Sequence, residues 1–283
     1  MYGTLYLCAT PIGNLEDMTM RVLRTLKEVD LIAAEDTRNS RKLMTHFEIA
    51  TPLTSYHEFN KYEKGPKLIE MLLAGKNIAL ITDAGTPGIS DPGEHLCMLA
   101  AEAGITVTSL PGACACITAL TMSGLPTGRF AFEAFLPVDN KPRNERLCAL
   151  KTETRTIVIY EAPHRLVRTL GDLSDALGNR AVSVCRELTK KHETVLRTTL
   201  PLALAYYEEN EPKGECVLVI DGVKEAELKE ASAEEWKQLP LEEHMKIYLD
   251  KGLDKKEAMK AVAADRGVGK RDIYKALLEL GDE

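Results

Sequence analysis

Two short segments of this chain set an acid beside groups that could share in proton or phosphate chemistry: Glu35-Asp36-Thr37-Arg38 and Glu161-Ala162-Pro163-His164-Arg165. A carboxylate or imidazole held near a hydroxyl can accept its proton, and a guanidinium can hold neighbouring phosphates. Asp36, Glu161 and His164 are therefore candidate catalytic groups, with Glu35 and Glu187 as further carboxylates and Arg38 and Arg165 as candidate anion contacts. Each has a plainer reading beside it. Asp36 and Arg38 can cap and pair on a helix that starts there, His164 can bond at a helix start, and Glu187 stands close enough to Lys190 and Lys191 for an ordinary ion pair.

A second kind of chemistry needs backbone more than side chains. The runs Thr10-Pro11-Ile12-Gly13-Asn14-Leu15 and Thr82-Asp83-Ala84-Gly85-Thr86-Pro87-Gly88-Ile89-Ser90-Asp91-Pro92-Gly93 each follow an apolar, strand-like segment. Rigid turns of small residues at the carboxyl ends of parallel strands are where open α/β folds bind small molecules. Leu110-Pro111-Gly112-Ala113-Cys114-Ala115 adds a third such turn, opening a helix of small residues against which a ligand can lie. Neither G-x-G-x-x-G nor G-x-x-x-x-G-K-[ST] occurs, so dinucleotide and P-loop sites lack their main support.

The elements that position these turns are ordinary globular ones. A chain of 283 residues with 45% hydrophobic content can bury a substantial core in one large or two modest domains with an appendage. No apolar stretch reaches the roughly 20 residues a membrane helix needs, and the N-terminus lacks the basic and apolar regions of a signal peptide, so a cytoplasmic protein is expected. Seven cysteines, without a C-x-x-C pair, read as reduced core thiols. Cys114-Ala115-Cys116 has no His or carboxylate at ligand spacing, and no metal is expected.

The net charge of -7 argues mildly against a nucleic-acid partner, but its distribution does not. Residues 208–243 hold 4 basic against 12 acidic residues, whereas 129–197 hold 13 against 9 and 246–275 hold 9 against 5. Two segments can thus present basic surfaces or plain solvated faces.

Strand-like runs at 5–9, 31–34, 78–81 and 106–110 alternate with amphipathic helical runs, the layout of a parallel α/β domain over 1–121. Gly124-Leu125-Pro126 reads as a hinge into a second α/β domain over 122–223, whose closely spaced strands at 181–186 and 193–199 suggest a mixed sheet. Residues 224–240 read as a charged linker, helical or mobile, and 241–283 as a small module of three short helices. In its last helix Ile273, Leu277 and Leu280 share one face, and Arg271 and Lys275 another. A packing bundle and a nucleic-acid grip fit these helices equally well.

The turns above, together with Ala34-Glu35-Asp36-Thr37-Arg38, Gly124-Leu125-Pro126, Tyr160-Glu161-Ala162-Pro163-His164-Arg165, Arg186-Glu187-Leu188-Thr189-Lys190 and Lys213-Gly214-Glu215, occur in order across 1–222. In this the chain resembles the tetrapyrrole-methylase superfamily and, within it, the branch of 16S ribosomal RNA cytidine 2′-O-methyltransferases. The resemblance implies two α/β domains with a cofactor cleft between them and S-adenosylmethionine folded in that cleft, usually in a homodimer. It implies methylation of a cytidine ribose in the decoding region of the small ribosomal subunit. By position, the cofactor would meet Pro11, Gly13, Asp83, Gly85, Thr86, Pro87, Ile89, Ser90, Gly112, Ala113, Ala115, Cys116, Ala162 and Gly214, mostly through backbone. RNA would meet Arg38, Arg41, Arg165, Lys190, Arg271 and Lys275, with His57 facing solvent or RNA. The family commonly has Ser-Thr where this chain has Ala162-Pro163, so those two residues carry no acid-base role. A tetrapyrrole carbon as the methyl acceptor is the alternative, and it leaves the basic tail without a task.

Overall fold

Strands β1 (Thr4–Cys8), β2 (Leu31–Ala34), β3 (Leu53–Ser55), β4 (Ile78–Ile81) and β5 (Thr106–Leu110) lie parallel in the order β3-β2-β4-β1-β5. This computed structural model describes residues 1–281, without the side chains of Ala231, Ser232, Glu235 and Leu280. The face expected for Leu280 and the end of the expected helical module at 282–283 fall outside the described residues.

Helices α1 (Met20–Glu28), α2 (Thr37–His46), α3 (Lys61–Leu73) and α4 (Glu94–Glu102) cover the sheet. Alternation along β4 decides which goes where: Ala79 and Ile81 pack with Val22, Leu26 and Met44 of α1 and α2, while Ile78 and Leu80 pack with Leu68, Leu72 and Leu96 of α3 and α4. Because β1 and β4 are neighbours while their connections run to opposite sides, their carboxyl ends flank the switch point of the sheet. β3, three residues long and preceded by Pro52, was not expected from the sequence.

Helix α5 (Ala115–Ser123) ends at Gly124 and leads into β6 (Phe130–Phe135), α6 (Asn140–Leu150), β7 (Thr156–Glu161), α7 (Pro163–Leu177), β8 (Ala181–Arg186), β9 (Thr194–Thr199), α8 (Leu200–Glu209) and β10 (Cys216–Ile220). The second sheet has the order β6-β7-β10-β8-β9. Only β6 and β7 are parallel, so the sheet is mixed as expected. Cys116, Ala119 and Leu120 of α5 pack on Val158, Cys185, Val217 and Val219 of this sheet, and Ile12 of the first turn joins the same cluster.

The chain divides into two compact units, residues 1–148 with 156–221, and residues 149–155 with 222–283. Both sheets belong to the first. The second contains α9 (Glu225–Gln238), α10 (Leu241–Asp250), α11 (Lys255–Asp265) and α12 (Lys270–Gly281). Residues 224–240 thus contain a helix of 14 residues. Met245, Ala258, Val262, Ala263 and Ile273 form the core of this unit, and Asp254 with Glu257 closes a capping box at the start of α11. A polar network in this unit centres on buried His244, which stacks on Trp236, faces Asp265 at 3.0 Å and accepts from Arg266 at 3.1 Å.

Four of the seven cysteines are buried, Cys97 and Cys114 are half-buried, and Cys148 is exposed, a departure from the expected set of core thiols. Among the described residues no helix is long and apolar enough to cross a membrane.

Candidate active site

The turns after β1 and β4 are joined by a two-way backbone bridge, Thr10 N–H to Gly85 O at 2.9 Å and Gly85 N–H to Thr10 O at 3.0 Å. Glycine at 112 lets the third turn close in, since a Cβ there would lie 2.7 Å from the Cβ of Ala9. The Thr86 hydroxyl donates to the carbonyl of Ala113 at 3.0 Å, and the Cys116 N–H at the start of α5 donates to the Tyr160 hydroxyl on β7, also at 3.0 Å. Main chain and two hydroxyls thus hold the turns of the first sheet against the second.

Between them lies a cavity of about 350 Å³ within the first unit. Of the residues singled out from sequence, Glu35, Asp83, Gly85, Thr86, Ile89, Ser90, Ala115, Glu161 and Ala162 line it. Pro87, Gly112, Ala113, Cys116 and Gly214 do not line it. They shape the surrounding chain, with Gly214 packed against the Glu187 carboxylate. Pro11 and Gly13 line a different cavity, beside α2. Asp91 and Cys114, quoted in the motifs but given no role of their own, are also part of the first lining.

Its electrostatic character is acidic. Burial raises the Glu35 carboxyl, with Asp83 and Asp36 adding to the rise against a hydrogen bond from the Asp83 N–H. Burial likewise pushes Asp91 up to about 7, helped by Glu35 and Asp83. A cation placed there would relieve both. On the thiol side, Cys114 Sγ lies 3.4 Å from Cys116 Sγ. The hydrogen bond from Cys116 holds the Cys114 thiol below its usual range and raises Cys116 in turn.

The two candidate carboxylates, Asp36 and Glu161, are already engaged. Asp36 caps α2 through the Arg38 N–H at 2.8 Å and is gripped by the Arg38 guanidinium at 3.1 and 2.7 Å, which hold it down to about 2. The plainer reading of that pair therefore describes its geometry. Glu161 is buried: one oxygen accepts from the Ala162 N–H at 2.8 Å and lies 3.3 Å from Arg165 Nε, and the other accepts from the Thr169 hydroxyl. Arg165 also donates to the carbonyl of Leu136. His164 is exposed in the first turn of α7 and does not line the cavity.

Lys190 bridges Glu187 at 2.9 Å and Glu215 at 3.0 Å, and its stem covers Gly13. Arg41 is exposed on α2, and Arg271 and Lys275 are exposed on α12 in the second unit. His57, half-buried, contacts Asn60.

The family model of tetrapyrrole (corrin/porphyrin) methylases matches residues 4–203, which take in the first sheet and strands β6 to β9 of the second. The chain belongs to this methylase family. Within the family it is 52% identical over 272 residues to the ribosomal RNA small subunit methyltransferase I of Halalkalibacterium halodurans, covering 96% of this chain and 93% of the relative. Proteins of the same name from Synechocystis and Bacillus subtilis are 50% and 48% identical, covering 98% and 97% of this chain and 98% and 94% of their own. This member is thus a methyltransferase of the ribosomal RNA small subunit methyltransferase I branch. Solved structures share its fold at low identity. Diphthine synthase superposes with TM-score 0.60 at 14% identity, covering 77% of this chain and 90% of its own. Uroporphyrin-III C-methyltransferase of Thermus thermophilus, complexed with S-adenosylhomocysteine, gives TM-score 0.55 at 18%, covering 77% and 97%.

Proposed function

We propose that this methylase transfers a methyl group from S-adenosylmethionine to the ribose 2′-hydroxyl of a cytidine in the decoding region of 16S RNA, on the small ribosomal subunit, as a cytoplasmic homodimer. One observation carries the reading: 48–52% identity over at least 96% of the chain to relatives named for small-subunit ribosomal RNA, against 14–19% to tetrapyrrole and diphthine enzymes that share the fold.

The cavity suits the proposed cofactor. When bound, S-adenosylmethionine supplies an electrophilic methyl on a positively charged sulfur. Glu35, Asp83 and Asp91 offer that charge a carboxylate wall, and Ala84, Gly85, Ala115 and Ala162 leave the backbone open to close contact. Gly112, Ala113, Cys116, Pro87 and Gly214 would act by fixing the chain around the cavity. Transfer between two bound partners depends chiefly on orientation, which a rigid bridge between β1 and β4 provides. Glu161 and Asp36, with their oxygens engaged, would serve to position the chain, and exposed Arg41, Arg271 and Lys275 to meet phosphates.

The test is transfer of labelled methyl to small subunits that lack the modification, with nucleoside analysis for 2′-O-methylcytidine and uroporphyrinogen as a parallel acceptor. Label recovered as 2′-O-methylcytidine is expected. Label on the porphyrinogen alone would overturn the RNA reading.

A further inference from the structure

The cavity beside α2, about 420 Å³, is lined by Pro11 and Gly13 of the first turn, by Thr82 and Asp83 of the second, and by Ser40, Lys42 and His46 of the helix, among others. Its character is the reverse of the first. Lys42 and His46 stand four residues apart on α2, one turn beyond Arg38, so the three form a stripe with a rise of about 6 Å between neighbours. Arg38 is partnered by Asp36. Asp83 is the carboxylate in this lining, and its Oδ2 accepts from Asn39 at 3.0 Å.

Ser40 supplies a separate observation. It is 5% exposed, lines this cavity, and its Oγ is buried without a hydrogen-bond partner. Buried hydroxyls are ordinarily satisfied, so an unpartnered one in a cavity wall marks a place where a ligand acceptor belongs.

We infer that this second cavity is the subsite for the acceptor strand, receiving a phosphodiester group beside the methylated ribose. Lys42 and His46 meet the phosphate charge, and the Ser40 hydroxyl donates to an oxygen of the strand. The inference rests on the RNA reading above. Asp83 belongs to both linings, so a strand seated here is brought up to the edge of the acidic cavity without entering it. With Asp83 at the shared edge, the remaining charge assigns the occupants: a polyanion is repelled by Glu35 and Asp91 and attracted by the helix stripe, and a cationic cofactor the opposite.

The experiment uses the full-length protein with unmethylated small subunits and labelled S-adenosylmethionine. Ser40→Ala removes a hydroxyl that bonds to nothing in the protein, so its melting temperature should stay the same or rise. Its KM for subunits should rise about threefold or more, with S-adenosylhomocysteine binding unchanged. Lys42→Ala should raise the same KM about tenfold at moderate salt and lower the slope of log affinity against log salt by about one. Unchanged KM in both variants, with wild-type transfer intact, would overturn the subsite and leave the RNA reading standing. Loss of S-adenosylhomocysteine binding in Ser40→Ala would also overturn it, by making the hydroxyl part of the cofactor site. Absence of transfer by the wild type would instead remove the RNA reading itself.

Discussion

The two sheets of the first unit contribute to one cavity by different means. The parallel sheet offers main chain: the bridged turns after β1 and β4 and the approach of Gly112 to Ala9. The mixed sheet offers a buried ionic relay. Arg143, 2% exposed, donates to Asp172 at 2.7 Å and to the Thr169 hydroxyl at 2.8 Å, and that hydroxyl donates to Glu161, which also faces Arg165. One side of the site is fixed by conformation and the other by charges that must all be matched at once.

The largest effect is expected in the relay. Glu161→Ala leaves Arg165 and the Thr169 hydroxyl without their buried acceptor, and full-length protein should lose about 3–5 kcal/mol in denaturant unfolding. Glu161→Gln, which keeps one of the two acceptor oxygens and the side chain's volume, should lose less. A loss within about 1 kcal/mol for the alanine variant would remove the contrast between the sheets.

Next comes the conformational side. Gly93 has φ of 154°, and a Cβ there would lie 2.9 Å from the backbone nitrogen of Gly88. Gly93→Ala should cost about 1–3 kcal/mol and weaken S-adenosylhomocysteine binding, because Ser90 and Asp91 lie in the turn it closes. Gly128→Ala, with open space around the position, should stay within about 0.5 kcal/mol. Equal losses at both positions would show that the turn tolerates rearrangement.

This contrast also explains what was legible in the sequence. Turns built on main chain need Pro and Gly at fixed places, so Thr10 to Leu15 and Thr82 to Gly93 could be read directly, and the apolar runs before them gave the parallel order of the layers. The relay could not be read, because Arg143 and Glu161 are 18 residues apart and meet through Thr169 only after α6 and α7 have packed. The same holds for Asp91, whose raised carboxyl depends on its burial and then on Glu35 from the end of β2 and Asp83 from its own turn, and for Ser40, an ordinary residue until its hydroxyl is seen to be buried. The Asp36 and Arg38 pair was visible as a motif with a helix cap among its readings, and the geometry decides for the cap. β3 escaped notice because three residues beside a proline carry too little pattern.

The acid wall sharpens the comparison through pH. In the folded chain Asp91 keeps its proton up to about 7, whereas the unfolded chain releases it near about 4. Between those values the native state binds more protons, so Asp91 makes stability fall as pH rises, with the loss complete above about 7. Cofactor binding should run the other way, weakening by up to about tenfold per unit below pH 7 as the carboxylate that faces the cation is neutralised. Asp91→Asn should flatten both dependences. Calorimetric titration with S-adenosylmethionine between pH 6 and 8 checks this, and an unchanged profile in the variant would take Asp91 out of the cation wall.

The smallest effect belongs to the thiol pair at the entrance of α5, where the two sheets meet through Tyr160. Cys116 donates to Cys114 and so favours the Cys114 thiolate, while Cys116 itself, raised by the same bond, stays protonated. Peptide-resolved alkylation with iodoacetamide should therefore modify Cys114 with a midpoint below the ordinary thiol value of about 8.5, and S-adenosylhomocysteine should slow it because Cys114 lines the cavity. Cys116→Ala removes the donor and should return the midpoint toward the ordinary value. A wild-type midpoint already at that value would mean that the geometry between the sulfurs does not stabilise the thiolate, and that the α5 entrance is held by its main chain with the Thr86 and Tyr160 hydroxyls.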